Sequence, residues 1–120
     1  MGREVPSGER PAWPWPDSLD ALIAAPQYHK LLFENERVRV LEVRLGPGTF
    51  VPVHTHRWPS VIQTLRPGEF VRRDAEGKVL FDSRTAPKLP ELAWTPPLTP
   101  HSVENIGETE ILLFTVEVKD

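Results

Sequence analysis

Three of the four histidines in this chain are spaced so that their imidazoles can meet at one metal ion. His54 and His56 are two residues apart after a glycine turn, and His101 follows a proline-rich segment much later in the chain. Residues two apart on a β-strand point to the same face, so His54 and His56 can present two imidazoles side by side. Because imidazole nitrogen suits zinc, copper, iron and nickel, the spacing predicts a metal site at His54, His56 and His101. The alternative is that these histidines are buried and merely hydrogen-bonded.

Size and composition limit the classes of protein that this chain can represent. Its 120 residues are enough for one domain with its own core. The net charge of −3 provides no basic surface for nucleic acid, and no apolar run is long enough to span a membrane. With no cysteine, any metal must be held by nitrogen and oxygen. The absence of cysteine and of an apolar signal segment fits a cytoplasmic location.

Proline divides the chain into short segments. The 14 prolines are more than twice the usual share, and proline cannot donate to the hydrogen bonds of a sheet or helix interior. The pattern therefore predicts an all-β sandwich or barrel, with strands roughly 8–12 residues apart. The predicted strands are 30–33, 38–45, 50–56, 60–65, 69–73, 78–82, 91–94, 102–104 and 110–118. Residues 95–100 are predicted to form a loop.

The chain divides into a proline-rich arm over residues 1–16 and a single domain over residues 17–120. A short helix over about residues 17–25 is predicted to open the domain. Trp13 and Trp15 alternate with prolines in the arm, and we expect them to pack on the barrel wall or on a partner subunit.

The strand over residues 38–45 has apolar residues in both of its phases. Val38 and Val40 lie in one phase, and Leu41, Val43 and Leu45 lie in the other. A bulge near Val40 or burial of both faces would explain this switch.

Two segments resemble the sequence motifs of the cupin superfamily, whose fold is a double-stranded β-helix, or jelly-roll barrel. The first motif, G-x5-H-x-H-x3,4-E-x6-G, is matched at Gly48, His54, His56 and Gly68. The second motif, G-x5-P-x-G-x2-H-x3-N, is matched at Pro96, His101 and Asn105, with Leu98 in place of its glycine. The resemblance covers roughly residues 28–118 and implies a small single-domain cupin, a fold often found as homodimers.

The glutamate of the first motif is replaced by Val61. In metal-dependent cupins this glutamate and the three histidines hold a divalent ion. Without the carboxylate, three imidazoles leave the charge of the ion uncompensated and leave coordination positions open. The resemblance thus permits dioxygenase-like or isomerase-like chemistry on a small anionic metabolite. The expected metal is Fe if the protein is an oxygenase, and Mn, Ni and Zn are the alternatives. The loss of the glutamate also fits a degenerate site that binds metal weakly or not at all.

Three further residues are candidates for the site. Gln63 lies two residues beyond Val61 on the same strand face, so it is a candidate fourth ligand or substrate contact, or a plain hydrogen-bonding residue of the barrel interior. Phe50 and Trp58 are candidates for the pocket wall. His29 lies outside both motifs and is predicted to be structural or surface-exposed.

Four arginines are candidates for binding a carboxylate or phosphate, because guanidinium groups bind such anions with two hydrogen bonds. They are Arg66, Arg72, Arg73 and Arg84. Arg72 and Arg73 are adjacent and must face opposite sides of a strand, so at most one of them points inward. Asn105 is predicted to hold a turn.

Three functions fit these observations. The first is a small metalloenzyme, and the second is a non-catalytic cupin that binds or senses a small molecule with a weak or empty metal site. The third is a metal-free enzyme in which one histidine acts as general base. In each case the expected partners are a small-molecule ligand and a second copy of the chain, and not nucleic acid.

Overall fold

The computed structural model describes residues 13–119, and this part of the chain folds into nine β-strands and two short helical segments. The strands are β1 (His29–Glu34), β2 (Val38–Leu45), β3 (Phe50–His56), β4 (Ser60–Arg66), β5 (Phe70–Asp74), β6 (Val79–Asp82), β7 (Leu92–Thr95), β8 (Leu98–Asn105) and β9 (Ile111–Val118). The predicted all-β class is confirmed.

The strands form two antiparallel sheets, and from β2 onward the chain passes repeatedly between them. The five-stranded sheet has the order β1-β2-β9-β4-β7, and the four-stranded sheet has the order β3-β8-β5-β6. Val43 and Ile111 of the first sheet share one buried apolar cluster with Val51 of the second. The two sheets therefore pack face to face as in a jelly roll, and we call the space between their inner faces the lumen.

The apparent phase switch in β2 is the signature of a buried arginine. Burial alternates regularly along β2 from Arg39 to Leu45, and Arg39 is only 5% exposed. The register between β2 and β9 is continuous, so β2 itself does not change phase there. A bulge lies in the neighbouring strand β1, between Leu31 and Phe33 and opposite Val40.

β8 begins earlier than predicted and contains a proline. The expected loop over residues 95–100 is strand from Leu98 onward. Pro100 is tolerated because it lies where the register of β8 against β3 shifts, and a bulge does not require its missing amide donor.

The predicted helix over residues 17–25 is divided into two pieces. A 3-10 turn covers Asp17–Leu19 and helix α1 covers Ala21–Ala24. Between them Asp20 has a non-helical backbone, and its carboxylate caps α1 by accepting a hydrogen bond from the Leu22 amide at 3.1 Å. Within residues 13–119, neither helical piece has the length and apolar character needed to cross a membrane.

Most of the predicted arm, residues 1–12, lies outside the described residues. The two tryptophans of the arm are described and are partly buried, with their ring centroids 5.0 Å apart in an edge-on arrangement. Trp15 lines a surface cavity together with the turn after β5 and with Pro100 of β8. The expectation that Trp13 and Trp15 pack on the barrel wall or on a partner subunit stays a prediction.

Candidate metal centre

All four histidines of the chain meet in the lumen. The ring centroid of His54 lies 4.3 Å from that of His101, 4.9 Å from that of His29 and 5.0 Å from that of His56. In His29, His54 and His56, ring nitrogens able to bind a metal lie within 4.8 Å of one another. The structure thus brings together the three predicted ligands and adds His29, which belongs to the tightest group of three.

Two complementary bulges position His54 and His101. These residues are direct cross-strand partners between β3 and β8, so their side chains share one face. The step from Val51 to His54 on β3 lies opposite the shorter step from Val103 to His101 on β8, so β3 holds one extra residue. From His54 to His56 the imbalance reverses, and the extra residue is in β8. The two irregularities cancel, which keeps His54, His56 and His101 inside the lumen.

His29 opens β1 and reaches the same cluster from the five-stranded sheet. It is 5% exposed, and its register partner is Val43, a buried residue of the core. The sequence predicted that His29 is structural or surface-exposed and did not predict its position among the other imidazoles. The neighbouring residues of β1 gave no usable signal, because Leu31, which shares the strand phase of His29, is 43% exposed.

The hydrogen bonds of the imidazoles leave one nitrogen of each ring free. In three of them Nδ1 donates to a backbone carbonyl: His29 to Ala25 at 2.9 Å, His54 to Pro52 at 2.8 Å and His101 to Thr99 at 2.7 Å. In the fourth, Nδ1 of His56 lies 2.8 Å from a carboxylate oxygen of Glu117. Carbonyl oxygens only accept, so Nδ1 of His29, His54 and His101 carries the proton, and Nε2 of each of these neutral rings carries a lone pair.

This donor set fits a metal ion. Within residues 13–119, no hydrogen bond engages the Nε2 atom of any of the four rings. Metal-binding histidines characteristically have their second nitrogen fixed by a carbonyl or carboxylate, as all four have here. His29, His54 and His56 are thus a group that could hold a metal ion, and His101 stands beside them.

Burial keeps three of these imidazoles neutral. Loss of hydration lowers the pKa of His54 to about 2, that of His101 to about 3 and that of His29 to about 4. Neighbouring imidazoles contribute in the same direction, because a proton on one ring repels a proton on the next. A ligand must give up its proton before it can bind a metal, and these rings have done so at neutral pH.

A buried ionic network supports His56. Glu117 is 1% exposed; one of its oxygens contacts His56 and the other accepts from Nε of Arg39 at 2.7 Å. The two terminal nitrogens of Arg39 donate to the two oxygens of Asp20, each at 3.0 Å. Burial tends to raise the pKa of Glu117, but the hydrogen bond with His56 and the charge of Arg39 outweigh this and hold that pKa below its usual value.

Sequence reasoning missed this network. Glu117 stands between two valines in an apolar strand, and so does Arg39. A charged residue in such a setting normally indicates a solvent-facing position. Here Arg39 and Glu117 are direct register partners on β2 and β9, so each supplies the opposite charge that allows the other to be buried.

The motif position of the missing glutamate faces away from the imidazoles. Val61 and Gln63 share the outer phase of β4, where Gln63 is exposed and pairs with Phe114. The inner phase is that of Ser60, which is buried and lies directly opposite Glu117. Gln63 therefore does not reach the candidate centre as a fourth ligand, because strand alternation turns it outward. A carboxylate does enter the site, but from β9.

The two candidate wall residues have different positions. Phe50 is 52% exposed and pairs with Glu104 on the outer face of the four-stranded sheet, so it does not line the lumen. Trp58 is partly buried, and its ring centre lies 5.0 Å from the guanidinium carbon of Arg39. It thus covers the ionic network behind His56.

Three of the four candidate arginines are engaged in ion pairs: Arg66 with Glu110, Arg73 with Glu104 and Arg84 with Asp82. Arg72 alone among them points into the lumen, which confirms that at most one of the adjacent pair faces inward. Because the other three arginines already bind carboxylates of this chain, Arg72 is the strongest candidate for binding an anionic ligand.

Asn105 holds a turn, as predicted. Its side-chain amide donates to the carbonyls of Leu45 and Thr109 at 3.0 and 2.9 Å, and its oxygen accepts from the amide of Gly107 at 3.0 Å. The residue is fully buried and ties the turn between β8 and β9 to the end of β2.

Comparison with known proteins gives matches at the level of structure. No family model and no curated protein sequence matches the chain. A cupin domain from Bordetella pertussis is 25% identical with a TM-score of 0.60, and the match covers 77% of this chain and 92% of that one. A cupin superfamily protein from Desulfitobacterium hafniense is 17% identical with a TM-score of 0.52, covering 77% and 76%.

A third solved structure is an uncharacterized conserved protein with a double-stranded β-helix domain from Klebsiella pneumoniae. It is 20% identical with a TM-score of 0.55, covering 75% of this chain and 74% of that one. The strand order, the two motif segments and these structural matches agree. The described part of the chain therefore has the double-stranded β-helix fold of cupin superfamily proteins.

Proposed function

We propose that the protein binds a divalent metal ion through imidazole nitrogens alone and that this centre acts on a small anionic metabolite. The observation that supports the proposal is the fixed Nδ1 atom of every imidazole in the cluster, which leaves four Nε2 atoms without a partner among residues 13–119. Histidines that serve only as core hydrogen-bonding groups would not need to converge in this way.

His29, His54 and His56 would hold the ion, with His101 at the side of His54 as a further ligand. When bound, a divalent ion in such a site supplies a Lewis acid with open coordination positions, and iron supplies oxygen activation as well. Because imidazoles bind a metal as neutral ligands, none of them offsets the charge of the ion, and an anionic metabolite is the favoured substrate.

The residues behind the imidazoles keep the rings oriented with Nε2 toward the lumen. Glu117 holds the Nδ1 edge of His56 and so turns Nε2 toward the lumen. Arg39 keeps Glu117 ionised and hydrogen-bonded, so that the carboxylate remains an acceptor for His56 and does not itself turn toward the ion. The three backbone carbonyls do the same for the other rings, and they cannot titrate.

Metal titration by calorimetry tests the proposal. Protein prepared without a histidine tag is titrated with Zn²⁺, Mn²⁺ and Ni²⁺, and with Fe²⁺ in the absence of oxygen. We expect one ion per chain, and a loss of affinity of more than about 100-fold in His54→Ala and in His56→Ala. Gln63→Ala is the matched control, because Gln63 faces outward, and it should bind as the unaltered protein does. Unchanged binding in His54→Ala would contradict the proposal.

The same titration separates His29 from His101 as the third ligand. The tight grouping of ring nitrogens predicts that His29→Ala weakens binding more than His101→Ala does. The resemblance to the cupin motif predicts the reverse order. The homodimer and the cytoplasmic location expected from the sequence stay predictions.

A further inference from the structure

Arg72 is directed into the lumen by the register of β5. It lies between Val103 of β8 and Phe81 of β6, its direct partners on either side. Val103 packs on the apolar cluster between the sheets, so the side chain of Arg72 on the same face enters that space. The next residue, Arg73, faces outward and forms an ion pair with Glu104 at 3.0 Å.

Among residues 13–119, the guanidinium of Arg72, which belongs to a partly buried residue, has no hydrogen-bond acceptor. Its Nε atom is fully buried without a hydrogen-bond partner, and it forms no ion pair within residues 13–119. Burial lowers the pKa of Arg72, and no carboxylate compensates. The ring of Phe81, 5.9 Å from the guanidinium carbon, is the nearby aromatic contact. Buried charged groups in native proteins are normally paired, so this donor requires an acceptor that the described chain does not supply.

Arg72 and the imidazoles face the same volume. His101 and Val103 are two residues apart on β8 and share its inner face, which makes Arg72 a diagonal neighbour of His101. Diagonal neighbours in a sheet are within reach of a long side chain. In agreement with this, the charge of Arg72 is one of the influences that lower the pKa of His101.

The opposite wall has a second orphan group. Within residues 13–119, two buried side-chain polar atoms have no hydrogen-bond partner: Nε of Arg72 and Oγ1 of Thr115. Thr115 lies on β9 in the inward phase of Glu117, between Leu41 and Ile62. Among residues 13–119, each sheet therefore presents one unsatisfied polar group on its inner face: Thr115 lies on β9, which also carries Glu117, and Arg72 lies on β5, which pairs with the β8 strand of His101.

We infer that Arg72 is the anion-binding residue of the histidine site and that its ligand is a small carboxylic acid. The carboxylate accepts hydrogen bonds from the guanidinium, and the other end of the molecule reaches the imidazole nitrogens, with Thr115 offering a hydroxyl from the facing sheet. The second half of this statement rests on the proposed function, whereas the first half does not.

A carboxylate is favoured over a phosphate by shape and surroundings. Two oxygens in one plane match the planar fork of a guanidinium, which accounts for paired Arg–carboxylate contacts in proteins. Phe81, Val103 and Phe70 form apolar surroundings beside Arg72, which suit the carbon body of a small organic acid better than a second charged group.

NMR of the arginine Nε–H groups tests the inference directly. The signal of Arg72 is identified by its loss in Arg72→Lys, and that of Arg73 by its loss in Arg73→Lys. Metal-free protein is titrated with acetate and with pyruvate, with acetamide as the neutral analogue and inorganic phosphate as the other anion. We expect the Arg72 signal to shift saturably with the two carboxylates and not with acetamide, while the Arg73 signal stays in place.

Affinity measurements complete the test. Arg72→Met should weaken pyruvate binding at least about tenfold, as expected for the loss of charged hydrogen bonds, whereas the matched Arg73→Met should not. Loading the unaltered protein with Zn²⁺ should tighten pyruvate binding, because the imidazole site and Arg72 then hold the two ends of one molecule.

Three results would overturn the inference. They are an Arg72 signal that no carboxylate moves, a stronger response to phosphate than to carboxylates, and unchanged pyruvate affinity in Arg72→Met. Absence of any tightening with Zn²⁺ would overturn the placement of the acid beside the imidazoles. These results are independent of the metal proposal, because failure of that proposal appears as unchanged metal binding in His54→Ala, while Arg72→Met should still bind metal.

Discussion

Two arginines enter the lumen from opposite sheets under opposite electrical conditions. Arg39, on the five-stranded sheet, donates to the carboxylates of Glu117 and Asp20 at 2.7 and 3.0 Å. Arg72, on the four-stranded sheet, has no carboxylate partner among residues 13–119. A buried ion with partners holds a structure together, whereas one without a partner is a cost that function has to justify. Arg39 thus has its partners within the described chain, whereas by the inference above Arg72 obtains its partner from a ligand.

Replacing Arg39 should cause the largest loss of stability. Arg39→Met leaves the carboxylates of Glu117 and Asp20 without their cation, and we expect the free energy of unfolding to fall by about 3–5 kcal/mol. Arg39→Lys keeps the charge but loses the planar guanidinium group. Its free energy of unfolding should therefore lie between those of the unaltered protein and Arg39→Met. Urea denaturation monitored by tryptophan fluorescence measures both.

The control for Arg39→Met is Arg73→Met. It removes a cation from an exposed pair, in which the side chains of Arg73 and Glu104 are 30% and 37% exposed. Exposed pairs contribute under about 1 kcal/mol. Equal losses in the two variants would show that the buried network does not have the role assigned to it here.

Acid should destabilise the metal-free protein through its histidines. The folded pKa values of His29, His54 and His101 are lowered to about 4, 2 and 3, below the unfolded value near 6.5. Below about pH 6 the unfolded chain therefore binds protons that the folded chain does not, and stability falls as pH falls. Each histidine contributes about 1.4 kcal/mol per pH unit, and the three together about 4 kcal/mol.

Denaturation of the metal-free protein at several pH values above the folded pKa of His29 measures this slope. In His54→Asn the slope should fall by about 1.4 kcal/mol per pH unit, because one titrating group is lost. A slope that is the same in this variant would mean that His54 is not buried in the neutral form.

The smallest expected effect has the opposite sign. Arg72→Met replaces an unpaired cation by an apolar side chain beside Phe81 and Val103, and we expect the ligand-free protein to gain about 1 kcal/mol. The comparison with Arg39→Met is then direct: the same substitution stabilises one wall and destabilises the other. A loss of stability in Arg72→Met would indicate that Arg72 has a structural partner.

Local patterns were sufficient to predict the strands and the central histidines. Alternating apolar residues and proline-bounded segments gave nearly all strand positions, and the two-residue spacing of His54 and His56 placed both on one face. The motif spacing then added His101, the cross-strand partner of His54. These features depend on residues close together in the chain or on a spacing that many related chains share.

The rest of the site depends on pairings between distant strands. Arg39 and Glu117 are separated by 78 positions, and each alone has the pattern of a solvent-facing residue. Gln63 does not reach the site for a related reason, because it shares the strand phase of Val61 and that phase faces outward. A shift of one residue turns a side chain to the other face of the sheet, so only the register decides.

The paired bulges of β3 and β8 couple the lengths of these two strands, because the extra residue in each strand balances the extra residue in the other. Deleting one residue between Val51 and His54 would remove the bulge of β3 but leave that of β8 uncompensated, so the two strands would end one residue out of step. Deleting a residue beside Pro100 at the same time would restore an even ladder. It would also remove the irregular backbone of Pro52 and Thr99, whose carbonyls accept hydrogen bonds from His54 and His101. In related chains, we therefore expect an insertion or deletion in β3 to be accompanied by one in β8.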